Sequence, residues 1–454
     1  MDAPATPYRG RRSKRQRGGE PSEEPSPASL LPDYILAEIL LRLPPDPSSL
    51  PRVSLVCKRW LRLVTGPLFH GRFHNPGGRR APLLGFFHNS FTLPCFIPTG
   101  SAPDRVPAEA FSLRRHPGRW LFLGCRRGRA LLASPFSAWR HLMVWDPLSG
   151  DRHDIPVPIA FDQRYFRGAA LLCDAAVCHR PTPFRVIFAF VDQLRLPCAC
   201  SYSSQSGTWG CVFYGKAVIP QGLKSAMESD PVRLGGGISG EKISAIDMRP
   251  PVPVGNVLYW LLLRNYILAF NMDAKNLATN VIAGPDPVYF LNDWSVQIMP
   301  AEGGKKLGFL ALKCLCLNLW VRQKHSGSST ASWAISRTMK LDMFLPPELL
   351  SLRGGVLAQL ALLGSTEDGD VVFLQTTIGV FTVQLDGMKF KLVLPDEKLA
   401  VVYPYSSFYL TGKLTYPTLY RTRLRGMAQP VGAMRLKESG GTVEGLVVGV
   451  RKDN

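Results

Sequence analysis

The chain lacks any run of 18 uncharged apolar residues; the longest contender, Leu307 to Val321, contains Lys313. No apolar segment of signal-peptide type follows Met1, so the sequence predicts neither a membrane span nor a secreted product. Charge is sparse at 19% of residues, and acidic residues are scarcer still, 34 against 54 Lys and Arg, for a net +20. Ten cysteines occur without one Cys-x-x-Cys pair. Cys198-Ala-Cys200 and Cys314-Leu-Cys316 alternate so that each pair shares one face of a strand, and Cys173 with Cys178-His179 is half of a ligand set without its other half. The cysteines read as buried free thiols in a reducing compartment. The sequence therefore predicts a soluble intracellular protein, nuclear, cytoplasmic or both, with no metal and no cofactor.

The usual signatures of catalysis are missing too. There is no G-x-x-x-x-G-K-[ST], no H-E-x-x-H, no G-x-S-x-G and no EF-hand loop, and the eight histidines are scattered. Gly235-Gly-Gly-Ile-Ser-Gly240 contains a G-x-G-x-x-G string, but no apolar strand precedes it and Pro250-Pro251 follows too soon for a nucleotide-site helix. It reads as a loop. Glu367-Asp-Gly-Asp370, flanked by apolar runs, reads as a hairpin turn rather than a metal site. No catalytic residue is assigned, and the chain is read as a protein that binds rather than transforms.

What is present is enough to fold. An apolar share of 46% fits a globular protein, and 454 residues exceed one ordinary core of about 150. Residues 1–28 carry Pro, Ser, Gly and charge with almost no large apolar residue, the composition of a disordered tail. Its cluster Arg9-Gly-Arg-Arg-Ser-Lys-Arg-Gln-Arg17 fits a nuclear import signal and a solvated charge run equally. The stretch Leu30 to Val64 then predicts two short amphipathic helices. In the first, Ile35, Leu36, Ile39, Leu40 and Leu43 recur with a period near 3.6, Pro32 and Asp33 open the helix, and Pro44-Pro45 stops it. In the second, Leu50, Val53, Cys57, Trp60 and Val64 line one face, Ser48 and Ser49 are candidate caps, and Gly66-Pro67 ends the run. A module this small usually needs a partner, since chains below about 40 residues rarely bury enough surface alone.

Those residues resemble the F-box family. Leu31-Pro32, Glu38-Ile39-Leu40, Arg42-Leu43-Pro44, Ser49-Leu50, Arg52, Val56 to Trp60, Leu63-Val64 and Pro67 fall in that motif's order, nearly without gaps; Tyr34 departs, standing where the family often has an acidic or small polar residue. The resemblance implies docking on a Skp-type adaptor and, through it, on the cullin of a ubiquitin ligase. It also implies an adaptor-binding set of Leu31, Pro32, Leu36, Ile39, Leu43, Pro44, Leu50, Val53, Val56, Cys57 and Trp60, some by contact and some by holding the helices together.

From Leu83 onward, short apolar runs are broken every ten or so residues by Gly, Pro, Asn or Asp, which predicts many short strands. Leu121 to Cys125 and Arg129 to Ser134 flank an Arg-Arg-Gly turn; His141 to Trp145 runs into Asp146-Pro-Leu-Ser-Gly150; Val371 to Leu374 and Gly379 to Val383 repeat the grammar. Strand groups of this kind bury their faces economically by radial stacking. Val144 to Gly150, Tyr202 to Trp209, Gly255 to Trp260, Ile267 to Asn271 and Glu367 to Asp370 also resemble the propeller-like region that follows the F-box in many plant, especially grass, F-box proteins. Trp145-Asp146 is a WD dipeptide, but it stands alone, with no 40–45-residue repeat to mark a WD propeller.

The expected class is α+β and multidomain: a small N-terminal helical F-box followed by a mainly-β, propeller-like domain. The expected divisions are a tail (1–28), an F-box (29–75), a Gly/Pro-rich linker (76–84), a substrate-recognition domain (85–425) and a C-terminal segment, partly disordered (426–454). Because the linker offers little that can pack, the two folded parts are expected to be separable. The expected function is that of a non-catalytic substrate receptor of an SCF-type ligase holding a further target protein. The alternative is a basic nucleic-acid-associated or non-ligase scaffold protein, disfavoured because the Lys and Arg are spread along the chain without a helix that would read a groove.

Overall fold

Leu36 and Leu40, one turn apart, are the buried residues of α1 (Asp33–Leu41) and the start of a small helical core. In the computed structural model the described residues are 31–73, 80–90, 93–113, 119–134, 141–158, 165–173, 183–191, 197–214, 249–262, 266–272, 279–285, 296–313, 315–324, 331–345 and 360–408. The basic tail, Cys178-His179, the Gly235 to Gly240 string, Cys314 and everything after Phe408, including the expected segment 426–454, lie outside them.

The second predicted helix is two helices, which corrects the reading of one continuous face from Leu50 to Val64. α2 (Ser49–Ser54) closes tightly, with the Leu55 N–H donating to Arg52 O at 3.1 Å and the Val56 N–H to Val53 O at 3.2 Å, and α3 (Lys58–Thr65) starts afresh. Pro51 suits the first turn of α2, where its missing N–H costs nothing, and the Ser54 hydroxyl bonds back to Pro51 O at 2.7 Å, which favours ending the turn there. Cys57 is then extended, φ −160° and ψ 168°, as the cap of α3. Ser48 occupies a cap position without making a side-chain cap bond; its backbone N–H donates instead to Asp104 Oδ1 at 3.1 Å. A fourth helix, α4 (Pro67–Phe73), realises the expected helical turn after Gly66.

The rest is strand. Four described sheets are plain four-stranded meanders: β3–β6 (Leu121–Arg126, Arg129–Ala133, His141–Trp145, Arg152–Pro156), β12–β15 (Val252–Val254, Val257–Leu261, Tyr266–Asn271, Thr279–Ala283), β16–β19 (Val296–Ala301, Lys306–Lys313, Cys316–Lys324, Ala331–Lys340) and β20–β23 (Ala361–Ser365, Val371–Thr376, Gly379–Gln384, Lys389–Pro395). A fifth sheet holds β7 (Tyr165–Cys173), β8 (Phe184–Val191), β9 (Pro197–Ser203) and the short β10 (Thr208–Trp209) and β11 (Phe213–Tyr214). The sixth joins the two ends of the domain: β24 (Tyr403–Ser406) pairs antiparallel with β1 (Leu83–His88), which pairs with β2 (Cys95–Pro98).

Hydrophobic seams join neighbouring sheets all the way round. Leu131 and Val144 meet Phe188 and Tyr202; Ala170 and Ile187 meet Trp260 and Phe270; Ile267 meets Ile298 and Phe309; Leu310 and Leu317 meet Leu374 and Val383; and Phe373 and Val380 meet Phe86. The last seam is aromatic, with Phe87 stacked on Phe122 at 4.4 Å and Tyr403 5.1 Å from Phe122. Six sheets joined in a ring are the blades of a six-bladed β-propeller. The apolar run from Leu307 to Val321 is the hairpin of β17 and β18.

Turn chemistry follows the residues. Arg127 (φ +50°) and Gly128 (φ +75°) form the two-residue turn between β3 and β4, as twist-matched hairpins require. A Cβ on Gly128 would also stand 2.6 Å from Ser407 Oγ, so glycine lets the closing strand approach. Asp146 of the WD dipeptide accepts the Leu148 and Ser149 N–H groups at 3.0 and 3.2 Å, and Gly150 (φ +76°) completes its turn. In the acidic turn, Gly369 takes φ +78° between β20 and β21, the hairpin expected of it.

The closing seam yields a stability test. Phe87→Ala should lower stability by about 3–5 kcal/mol in urea unfolding of the full chain, because a fully buried ring is lost. Met343→Ala, whose side chain is 76% exposed, should change it by less than about 0.5 kcal/mol.

Candidate functional site

The helical module fills its own core. Leu36, Leu40, Leu50, Val53, Val64, Phe69 and Phe73 are buried together, with Leu43, Trp60 and Leu63 half-buried against them. Charge pairs fix the helices at the rim: Arg59 Nε lies 2.7 Å from Asp33 Oδ1 and its Nη2 donates to Leu31 O, while Arg72 lies 2.5 Å from Glu38. With that core complete, large apolar side chains are left outside: Tyr34 is 70% exposed, Ile39 47%, Val56 60% and Leu68 83%.

The eleven residues expected to serve an adaptor divide accordingly. Leu36, Leu50 and Val53 are internal; Leu31, Leu43 and Trp60 are half-buried; Pro32, Ile39, Pro44, Val56 and Cys57 face outward. The inner group can act only by shaping the module, while the outer group is available for contact. Tyr34 and Leu68 were missed as outward-facing residues. For Leu68 a signal existed, since Phe69 and Phe73, four apart, take the inward face of α4 and leave it on the other.

The module is seated on the propeller. Phe408, which follows β24, packs against its core with its ring 5.6 Å from Phe73 and edge-on at 78°. Together with the Ser48–Asp104 bond, this ties helices to blades, and both fall in one compact unit ending at Leu410. The expectation of two separable parts did not include these contacts.

The inner strands of all six blades converge on a central cavity. At its rim the Glu367 carboxylate accepts the Arg127 N–H at 2.9 Å and lies 3.9 Å from Arg126 Nη1. Burial pushes its pKa up, with Arg126 pulling the other way. Beside it, Cys125 donates to Pro404 O at 2.6 Å, and burial raises its thiol pKa well above the ordinary value. Burial also raises Cys173 and pushes Cys200 up to about 12. These thiols stay protonated near neutrality and are poor nucleophiles. Among the described residues no three His, Cys, Asp or Glu side chains group to hold a metal, and no helix is long and apolar enough to cross a membrane.

Residues 28–71 match the family model of the F-box domain. The helical module is an F-box. Among curated proteins none matches the chain. Among solved structures, a six-bladed β-propeller fungal lectin from Aleuria aurantia aligns at 12% identity over 70% of this chain and 95% of its own, with a TM-score of 0.36. The β-propeller domain of Cps50 (Swd1) from Myceliophthora thermophila aligns at 11% identity over 60% and 71%, TM-score 0.32, and Kluyveromyces lactis Hsv2 at 8% over 58% and 73%, TM-score 0.33. The blade count rests on this chain's own six sheets, since such low scores carry no weight for it. The chain is thus a short F-box followed by a six-bladed propeller.

The rim carboxylate gives a pH test. A carboxyl whose folded pKa is raised favours the fold below its unfolded pKa, and that contribution is lost as pH rises through the folded value. Acidifying through the raised pKa of Glu367 should therefore restore stability, and Glu367→Gln, which can still accept the Arg127 N–H, should remove that component from a stability–pH profile taken above the ordinary carboxylate range. A variant profile parallel to wild type throughout would contradict the assignment.

Proposed function

We propose that the protein is the substrate-receptor subunit of an SCF-type (Skp–cullin–F-box) E3 ubiquitin ligase, binding the Skp-type adaptor through its F-box and a target protein through the propeller. The observation that carries this reading is the set of outward apolar side chains, Ile39, Val56 and Leu68 with Pro32, Tyr34 and Pro44, on an F-box whose internal core is already filled. Exposed apolar surface of this kind marks an interaction site. The chain is a non-catalytic adaptor in this reading, and the ligase chemistry belongs to other subunits. The turns at Val144 to Gly150 and Gly255 to Trp260 support a relation to grass-type plant F-box proteins, and work in nucleus or cytoplasm follows from the same role.

The test is capture by a recombinant Skp-type adaptor. Val56→Asp and Leu68→Asp should each weaken capture at least tenfold while leaving the urea midpoint unchanged, since both side chains are exposed in the free protein. Trp60→Ala, half-buried against the core, should lower capture and stability together. Undiminished capture by the Val56→Asp/Leu68→Asp double variant would overturn the reading.

A further inference from the structure

Blades four and five, β12–β15 and β16–β19, meet at the periphery in an open groove of about 480 Å³. Its walls are Ile282 and Pro285 from one blade and Trp320, Arg322 and Trp333 from the next. The register of β18 against β19 sets Arg322 opposite Trp333 and Trp320 opposite Ile335, so the guanidinium and both indoles share one face. Trp333 is held in place by its Nε1–H donating to Ala283 O at 3.0 Å and by edge contact with Phe309 at 5.7 Å. Arg322 is half-buried and has no hydrogen bond or ion pair among the described residues; its guanidinium opposes the upward pKa shift that burial gives the half-buried Tyr259 phenol.

The strands that carry the groove have a basic excess, in which Lys306 is paired with Glu302. From Gly303 to Leu341 the chain has seven Lys and Arg, namely Lys305, Lys306, Lys313, Arg322, Lys324, Arg337 and Lys340, and no Asp or Glu. The groove also runs beside an open edge: β19, ten residues long, pairs only with β18 among the described residues. A segment added along that edge would place alternate side chains on the face carrying Trp333 and Arg322.

We propose that this groove is a docking site for an extended anionic peptide of the target protein, with an apolar side chain between Trp320 and Trp333 and a carboxylate or phosphate on Arg322. The assignment rests on the receptor reading above and names the chemistry of its target. A guanidinium flanked by indoles favours a planar or tetrahedral anion over a neutral ligand, and the basic excess of these strands attracts an acidic segment. A nucleic-acid strand would need a longer row of aromatic platforms along a basic track than two indoles at one point. The fourth blade is the third from the closing blade and lies across the ring from the sheet that continues into the F-box core, so adaptor and target would not compete for room.

The test is selection of random displayed decapeptides on the full-length protein and on Arg322→Gln and Arg322→Glu. Wild type should enrich sequences with Asp or Glu close to an aromatic or aliphatic residue; a synthetic peptide from that pool should bind Arg322→Gln at least tenfold more weakly, and Arg322→Glu should enrich Lys or Arg instead. Synthesising the same peptide with glutamate and with phosphoserine at the anionic position shows which anion is preferred. Absence of enrichment by wild type overturns the proposal. So do acidic peptides that bind Arg322→Gln equally well, which would report only the overall +20 charge, or oligouridine binding in preference to every selected peptide. Adaptor capture, measured on the same variants, should be unchanged. If it holds while the groove fails, only the groove assignment falls; if wild type captures no adaptor, the receptor reading falls.

Discussion

The pairing of β24 with β1 is the contact on which the rest of the molecule depends. It joins strands roughly 300 residues apart, and closing so long a loop costs on the order of 5 kcal/mol in chain entropy. The return comes from large buried side chains: Phe86, Phe87, Tyr403 and Tyr405 are all almost fully inaccessible, and each such residue contributes about 1.5–3 kcal/mol by leaving water. Polar bonds then fix the register across the seam, with the Tyr405 hydroxyl donating to Gly128 O at 2.9 Å and the Ser407 N–H to Pro82 O at 3.2 Å. Two residues beyond the strand, Phe408 enters the F-box core. Ring closure and seating of the F-box are therefore carried by one short segment, Tyr403 to Phe408.

This arrangement suits the proposed receptor role. An F-box attached by a loose linker would present a bound target at many angles, whereas one packed on the closing blade holds the ring in one pose relative to any adaptor gripping Ile39, Val56 and Leu68. Around the ring, the blades use buried apolar seams for cohesion and leave polar and charged chemistry at rims and edges, as Glu367 shows at the central cavity and Arg322 at the periphery.

The features legible in the sequence were those set by local rules. The Arg127-Gly128 and Asp146 to Gly150 turns, the α1 face at Leu36 and Leu40, and the strand character from Leu83 on each depend on residues within one turn or one strand, and each has the form the residues predict. The break between α2 and α3 was less legible, because period 3.6 continues through Cys57 even though the helix closes at Ser54 before it. Nothing local marks Phe408 as part of the F-box core or brings Trp320 and Arg322 against Pro285 of another blade; these follow from closing the ring. The eleven residues of the F-box motif could be named but not sorted, since inward and outward positions depend on how four helices meet.

The claim that the closing segment seats the F-box can be measured by hydrogen exchange on the full chain carrying Phe408→Ala. The account predicts that amides of α1 to α4 lose protection while β7–β9 and β16–β18, far round the ring, keep theirs. Helical protection equal to wild type would show that the F-box stands without the closing segment and would contradict the coupling.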